Sequence, residues 1–343
     1  MTAIHHLAFF RCRARHIHRV GLGMACALLF GLQAGPASAD DAAKANFPSK
    51  SVRFVVPFAP GGSADQLARP LAKKLQEMWG QPVLVENRGG AGAVIGTDAV
   101  AKSAPDGHTF GLVVAGHTIN PSIYKQLPYD TLRDLAGVTQ LTSQQMAVIA
   151  HPSMPFNTLP ELIAYAKKNP GKVTYGSSGI GVATHLSGEL LSQKADIKLL
   201  HVPYKGTTPA YTDLLGGQIN LIIDVTSTSM PYVDAGRLKL LAMTAPTRSQ
   251  QYRQYPVIAE VLPGLSIMSM FGVVAPAKTP PAILEKIQKD MATALQTPEM
   301  RTLLNDGGME IVSSTPQQFD TYVASEIKRW ADLIKQADIK VDR

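Results

Sequence analysis

The chain has 343 residues, a net charge of +7 and only two cysteines, Cys12 and Cys26. Its first 39 residues read as a secretory signal that leaves the mature chain with 304 residues, no cysteine and a net charge of +3, since the segment carries four arginines and no acid. That excludes disulfides, thiol catalysis and Cys-based metal sites, and it removes the main support for a nucleic-acid partner, because no basic stripe with interleaved aromatics remains. In the signal, Arg11, Arg13, Arg15 and Arg19 form the basic start. Residues 20–32 are an apolar run too short to span a bilayer, and Ala37-Ser38-Ala39 is a small-x-small cleavage site. No twin arginine and no closely following Cys is present, so general export without a lipid anchor is expected.

The mature chain alternates short apolar strands with helical patterns. Residues 52–56 form a β-branched and aromatic strand, ended by Pro57. Pro60, Gly61 and Gly62 mark a turn, and Ser63 with Gln66 has the spacing of a capping box. Leu67, Leu71, Leu75 and Met78 then recur at helical spacing. Further strands are expected at 83–85, 109–114, 147–150, 173–175, 199–202, 221–223, 238–244 and 272–274. Helices are expected at 91–104 and 159–168 and after Gly181. Near the C-terminus, Ile283, Ile287, Met291 and Leu295 form one helical stripe. Phe319, Val323, Ile327, Trp330 and Ile334 form another, and both read as core faces. This alternation predicts doubly wound α/β domains with parallel sheets. No repeat and no membrane-spanning run is seen.

Two stretches point to chemistry. The first turn, 58–65, ends in a helix start with two glycines and no bulky cover. Free backbone N–H groups and the positive end of a helix dipole suit an anion. No Lys-Ser/Thr pair follows the glycines, so a carboxylate is expected and not a nucleotide. The second turn, 176–185, repeats the arrangement, with hydroxyls on Ser177, Ser178 and Thr184 and bare backbone at Gly179 and Gly181. Gly-x-Ser-x-Gly fails at Ser63, followed two places on by Asp65, and at Ser178, followed by Ile180. Gly90 to Gly96 fails the dinucleotide pattern at Ile95 and reads as a close-packed turn. None of His108, His117, His151, His185 and His201 has zinc spacing, although His185 sits at a helix start where it can touch a ligand. Tyr204 can donate from its phenol, Lys205 reads as solvated, and Asp224 ends a strand where open sheets place ligand groups or cap the next turn.

Taken in order, several motifs resemble one family. They are Phe47-Pro48-Ser49-Lys50, Val56-Pro57-Phe58-Ala59-Pro60-Gly61-Gly62-Ser63-Ala64-Asp65, Val85-Glu86-Asn87-Arg88 and Ala104-Pro105-Asp106-Gly107. Asn120-Pro121-Ser122-Ile123-Tyr124, Tyr175-Gly176-Ser177-Ser178-Gly179, His201-Val202-Pro203-Tyr204-Lys205-Gly206 and Asp213-Leu214-Leu215-Gly216-Gly217 follow. Over nearly the whole mature chain the sequence resembles the periplasmic solute-binding receptors of tripartite tricarboxylate transporters, the Bug-type receptors. It departs from them at Gly89-Gly90-Ala91, where Pro-Gly-Ala is frequent, and at 225–229.

The resemblance implies an α/β fold like the type II periplasmic binding proteins, a Venus flytrap of two doubly wound α/β domains, 46–143 plus 270–343 and 144–269, with the ligand between them. It implies a carboxylate held by Phe58, Ala59, Gly61, Gly62, Ser63, Ala64 and Asp65 of the first turn and by Ser177, Ser178, Gly179, Thr184 and His185 of the second. Thr118, Tyr204 and Asp224 are implied at the ligand's far end. The expected partners are a small carboxylate and the membrane permease subunits. The expected receptor is a periplasmic monomer without cofactor, metal or catalytic residues. A ligand-presenting sensor and an exported enzyme acting on a small acid are the alternatives.

Overall fold

The computed structural model describes residues 47–336 apart from Ala59 and Lys205. The expected signal segment and Ala59 of the first turn lie outside the described residues, as does Lys205. β1 (Val52–Val56) sits between β2 (Val83–Asn87) and β3 (Thr109–Val114), all parallel. α1 (Ser63–Trp79) follows β1, α2 (Val94–Ala101) follows β2 and α3 (Gly116–Ile123) follows β3. A second parallel set places β5 (Thr174–Ser177) between β6 (Leu200–Pro203) and β7 (Leu221–Val225). Here α5 (Ala183–Ala195), α6 (Thr207–Leu215) and α7 (Thr226–Asp234) follow the three strands, and α4 (Leu159–Lys168) precedes β5.

Two long antiparallel strands join these sets. β4 (Leu135–Ala150) pairs with β9 (Met268–Pro276) as far as Gln145. From Met146 to Ala150 it pairs instead with β7, and from Ala147 with β8 (Lys239–Met243) as well. The strand order is β2-β1-β3-β9-β4-β7-β5-β6, with β8 and the short β10 (Met309–Ile311) also on β4. The sheet is therefore mixed and strongly curled, where the alternation of elements had predicted parallel sheets alone. The α/β class stands. The first eleven residues of β4 escape a hydropathy reading because they include Thr139, Gln140, Thr142, Ser143, Gln144 and Gln145. Several of these polar side chains are buried and held by bonds such as Thr139 Oγ1 to the Ser314 carbonyl, 2.8 Å, and Gln144 Nε2 to the Gly307 carbonyl, 2.6 Å.

The register decides where the loops gather. Val114, the last residue of β3, lies opposite Phe271, which lies opposite Thr142. Val225, the last residue of β7, lies opposite Met146. The carboxyl ends of both parallel sets thus meet on the same short stretch of β4, between Thr142 and Met146. Ligands of open α/β sheets bind outside the carboxyl ends of strands at such a reversal.

α8 (Pro281–Leu295) buries Ile283, Ile287, Met291 and Leu295 in one core with β1, β3 and α1, and α9 (Pro298–Asp306) adds Met300 and Leu304. α10 (Pro316–Gln336) divides its stripe. Phe319 and Val323 pack with Val55 and Val113, whereas Trp330 and Leu333 pack with Ile119, Met146 and Leu186. One helix therefore ties the first sheet set to the core around the second. Among the described residues no helix is long and apolar enough to cross a membrane.

Candidate functional site

The first turn leaves β1 and enters α1. The helix begins one residue earlier than the capping box requires. Gly62 is the N-cap, with φ −76° and ψ 171°, and no side chain caps it. Ser63 is the first helical residue, and Gln66 donates from Nε2 to the Gly61 carbonyl at 3.1 Å instead of closing a box. The amide of Gln66 bonds to the Gly62 carbonyl at 2.9 Å. The three N–H groups before it, on Ser63, Ala64 and Asp65, have no intrahelical acceptor. Gly61 takes φ +86°, and a side chain there would meet nothing within 4 Å, so the turn is open on that side. Phe58 and Pro60 border a cavity of about 550 Å³ whose far wall is Gly89, Gly90, Gly92 and Ala93.

The turn is braced from within. Asp65 Oδ2 accepts from the Gly61 N–H at 2.9 Å and from Arg69 Nε at 2.8 Å. Its Oδ1 accepts from Asn87 Nδ2 at 2.9 Å, and Nδ2 also donates to the Phe58 carbonyl at 3.0 Å. Arg69 Nη2 closes the ring on Asn87 Oδ1 at 2.9 Å. The Arg69 guanidinium, outweighing burial and helped by the Gly61 and Asn87 donors, holds the Asp65 carboxyl down at about 2. Asp65 was expected among ligand contacts, but its oxygens are engaged by the turn itself. Sequence reasoning also missed Asn87 and Arg69. The available signals were the i,i+4 spacing of Asp65 and Arg69 and the place of Asn87 in the Val85-Glu86-Asn87-Arg88 motif.

The loop after β2 was expected to start a helix at Ala91. Gly90, Ala91, Gly92 and Ala93 all have positive φ, and α2 begins at Val94. Tyr124 OH holds the Ala91 carbonyl at 2.8 Å and Asn120 Nδ2 holds the Gly92 carbonyl at 3.0 Å.

The second turn leaves β5 and enters α5 at Ala183, and it is closed on its own side chains. The Ser178 N–H donates to Thr184 Oγ1 at 2.9 Å, the Gly179 N–H to Ser177 Oγ at 3.2 Å, and the Gly181 N–H to His185 Nδ1 at 3.0 Å. Ser178 and Thr184 hydroxyls lie 3.0 Å apart. His185 and His201 stack with ring centroids 3.9 Å apart, and Tyr175 stacks on the outer face of His201. Burial lowers both imidazoles to about 4, His201 also through its neighbour, so both are neutral at pH 7.

Ser177 Oγ lies 2.6 Å from His201 Nε2, a contact that invites a serine nucleophile reading. The proton placement argues otherwise. Ser177 is fully buried and its hydroxyl donates to the Gly179 carbonyl at 2.8 Å. His201 Nε2–H is then the donor to Ser177 Oγ, leaving no bare nitrogen there to act as a base.

The three residues expected at the far end are not joined to either turn by their side chains, among the described residues. Thr118 is buried and its hydroxyl donates to the Ala115 carbonyl at 3.0 Å. Tyr204 OH donates to Asp213 at 2.7 Å, although its N–H braces the second turn on the Ser177 carbonyl at 3.0 Å. Asp224 is buried on the face of β7 that packs under Tyr211, and burial raises its carboxyl to about 7. The Tyr211 hydroxyl is near enough to Asp224 to offset part of that rise, although neither it nor Asp224 Oδ2 closes a hydrogen bond of ordinary geometry among the described residues.

Residues 67–339 match the model of the tripartite tricarboxylate transporter family receptor. The chain is 36% identical over 315 residues to Protein BugT of Bordetella pertussis, covering 90% of this chain and 94% of that protein. Among solved structures it is similar to Rpa4515 of R. palustris with adipate, at 34% identity and a TM-score of 0.76, covering 85% of this chain and 99% of the other. It is also similar to MatC of Rhodopseudomonas palustris with bound malate, at 30% identity and a TM-score of 0.72, covering 84% and 100%.

Proposed function

The chain belongs to the tripartite tricarboxylate transporter receptor family, and from that premise we propose that it captures a small carboxylate in the periplasm and presents it to membrane permease subunits. The observation that carries the reading is the start of α1. It offers uncommitted N–H groups behind an open glycine turn, at the place where the carboxyl ends of both strand sets converge. One ligand carboxylate sits on the N–H groups at Ser63 and Ala64, beside Phe58, Gly61 and Gly62. Ser177, Ser178, Gly179, Thr184 and His185 approach it from the second turn. The solved relatives with adipate and malate support a carboxylate as the guest.

The two strand sets act as hinged bodies, approximately 46–143 plus 270–343 and 144–269. The change of partners in β4 at Gln145 and Met146 supports a crossing there. The last turns of α10, whose Trp330 and Leu333 pack on the second core, couple the two bodies. The ligand favours closure only through its better contacts in the closed state. The protein is a receptor and not an enzyme. The Ser177–His201 geometry supports this, since neither atom is free to act.

Thermal melting of mature protein against adipate, malate, citrate, glutamate and benzoate, each beside its methyl ester, tests the reading. An acid at a thousand times its dissociation constant adds about 4 kcal/mol. One acid should raise the melt by several degrees and its ester should not. Equal shifts from acid and ester, or none from any acid, would contradict it. Loss of uptake of the active acid in cells lacking this chain would separate transport from signalling.

A further inference from the structure

We infer that Asn87 and Arg69 are positioning residues for ligand capture: with Asp65 they fix Phe58 and Gly61 from behind, and the Asp65 carboxylate serves the turn and not the ligand. This rests on the proposed binding of a carboxylate at the first turn. Five hydrogen bonds carry it. Asp65 accepts from Gly61, Arg69 and Asn87, and Asn87 donates to Phe58 and accepts from Arg69. Phe58 and Gly61 are thereby tied to β2 and to the second turn of α1.

The electrostatics require Arg69 as well as the geometry. The Asp65 side chain is 5% exposed and lies in the first turn of the helix whose N-terminus is to receive an anion. An unpaired carboxylate there repels the guest. Arg69, half exposed at 52%, neutralises it from the solvent side. Truncating Arg69 therefore both loosens the turn and uncovers a negative charge beside the ligand, while removing little buried surface.

The test compares Arg69→Met, Asn87→Ala and the double variant Arg69→Met/Asp65→Asn, using adipate and malate as probes and amide exchange as a ligand-free readout. Arg69→Met should weaken binding at least tenfold and accelerate exchange of the Gly61 amide at least tenfold, with the melting temperature nearly unchanged. Adding Asp65→Asn should restore part of the affinity, since the uncovered charge is gone. A purely structural role predicts further loss instead, and that result would overturn the inference. Asn87→Ala should accelerate Gly61 exchange without the charge effect. If neither probe binds wild-type protein, the affinity arm passes to whichever acid raises the melt, the binding proposal fails only if none does, and exchange at Gly61 still decides the positioning role. Wild-type exchange in both single variants would overturn it.

Discussion

The two glycine turns are built from the same plan and are held in opposite ways. The first, at 58–65, is braced by side chains that sit behind it, Asp65, Asn87 and Arg69, and the N–H groups at the start of α1 have no intrahelical acceptor and no partner among the described residues. The second, at 177–185, turns its own side chains inward, so that Ser178, Gly179 and Gly181 already donate to Thr184, Ser177 and His185. On the proposed reading the first is a preformed anion seat. On the same reading the second must exchange internal acceptors for ligand oxygens before it can contribute its backbone donors. A receptor with one fixed and one exchangeable turn captures the ligand on the fixed side and gains differential affinity on closing the other.

Acid should break the second turn first and by the largest margin. His185 and His201, with the buried His117, have pKa values lowered by burial from 6.5 to about 4. Between those values the unfolded chain binds protons that the folded chain refuses. Stability is therefore present above about 6.5 and lost as pH falls towards 4, by up to about 1.4 kcal/mol per pH unit for each histidine. Asp224 opposes this, because its carboxyl is raised from 3.8 to about 7. Its contribution is fully present below 3.8 and is lost as pH rises through 7. Asp320, also raised by burial, acts in the same sense as Asp224, while the lowered Asp65 carboxyl adds to the loss, so the three histidines leave a net loss in acid. Amide exchange should show Gly181 released before Gly61, since protonated Nδ1 of His185 cannot accept. Equal acid sensitivity in both turns would erase the contrast.

Ser63→Pro probes the fixed seat. Proline is welcome at the first helical position, and the extended Gly62 before it is compatible. The change removes one N–H and little else. Carboxylate affinity should fall about tenfold, roughly 1.4 kcal/mol, with the melt nearly unchanged. Unaltered affinity in calorimetry would mean that the first turn is only structural.

Thr184→Val probes the exchangeable side. It leaves the Ser178 N–H without its acceptor, costing about 1–3 kcal/mol in the free protein. A bound carboxylate can supply the missing acceptor, so affinity should hold or improve while the unliganded melt drops. Parallel loss of both would contradict the exchange. The smallest effect is expected for Gly61→Ala, about 1 kcal/mol of stability from φ +86° alone, since no atom stands in the way of the methyl group.

Much of the fold was legible because its strands are short apolar runs between turn residues, and α4 spans the predicted 159–168. The long β4 was not, because its polar side chains read as loop and find their partners only in distant segments, at Ser227, Ser249, Gly307 and Ser314. Both turns were visible from their glycines, serines and helix starts. Their bracing was not, because Asn87 reaches Asp65 across 22 residues and His201 reaches Ser177 across 24, contacts that only strand pairing creates. The helix start itself was placed one residue late, because a side-chain box at Ser63 was expected where Gly62 caps without one.

The most direct test of the account is an amide NMR titration of the mature protein with the carboxylate that raises its melt. Binding between the turns predicts that the Ser63 and Ala64 resonances shift together with those of Ser178 and Gly181, along one common saturation curve. Shifts confined to one turn, or centred away from both, would contradict it.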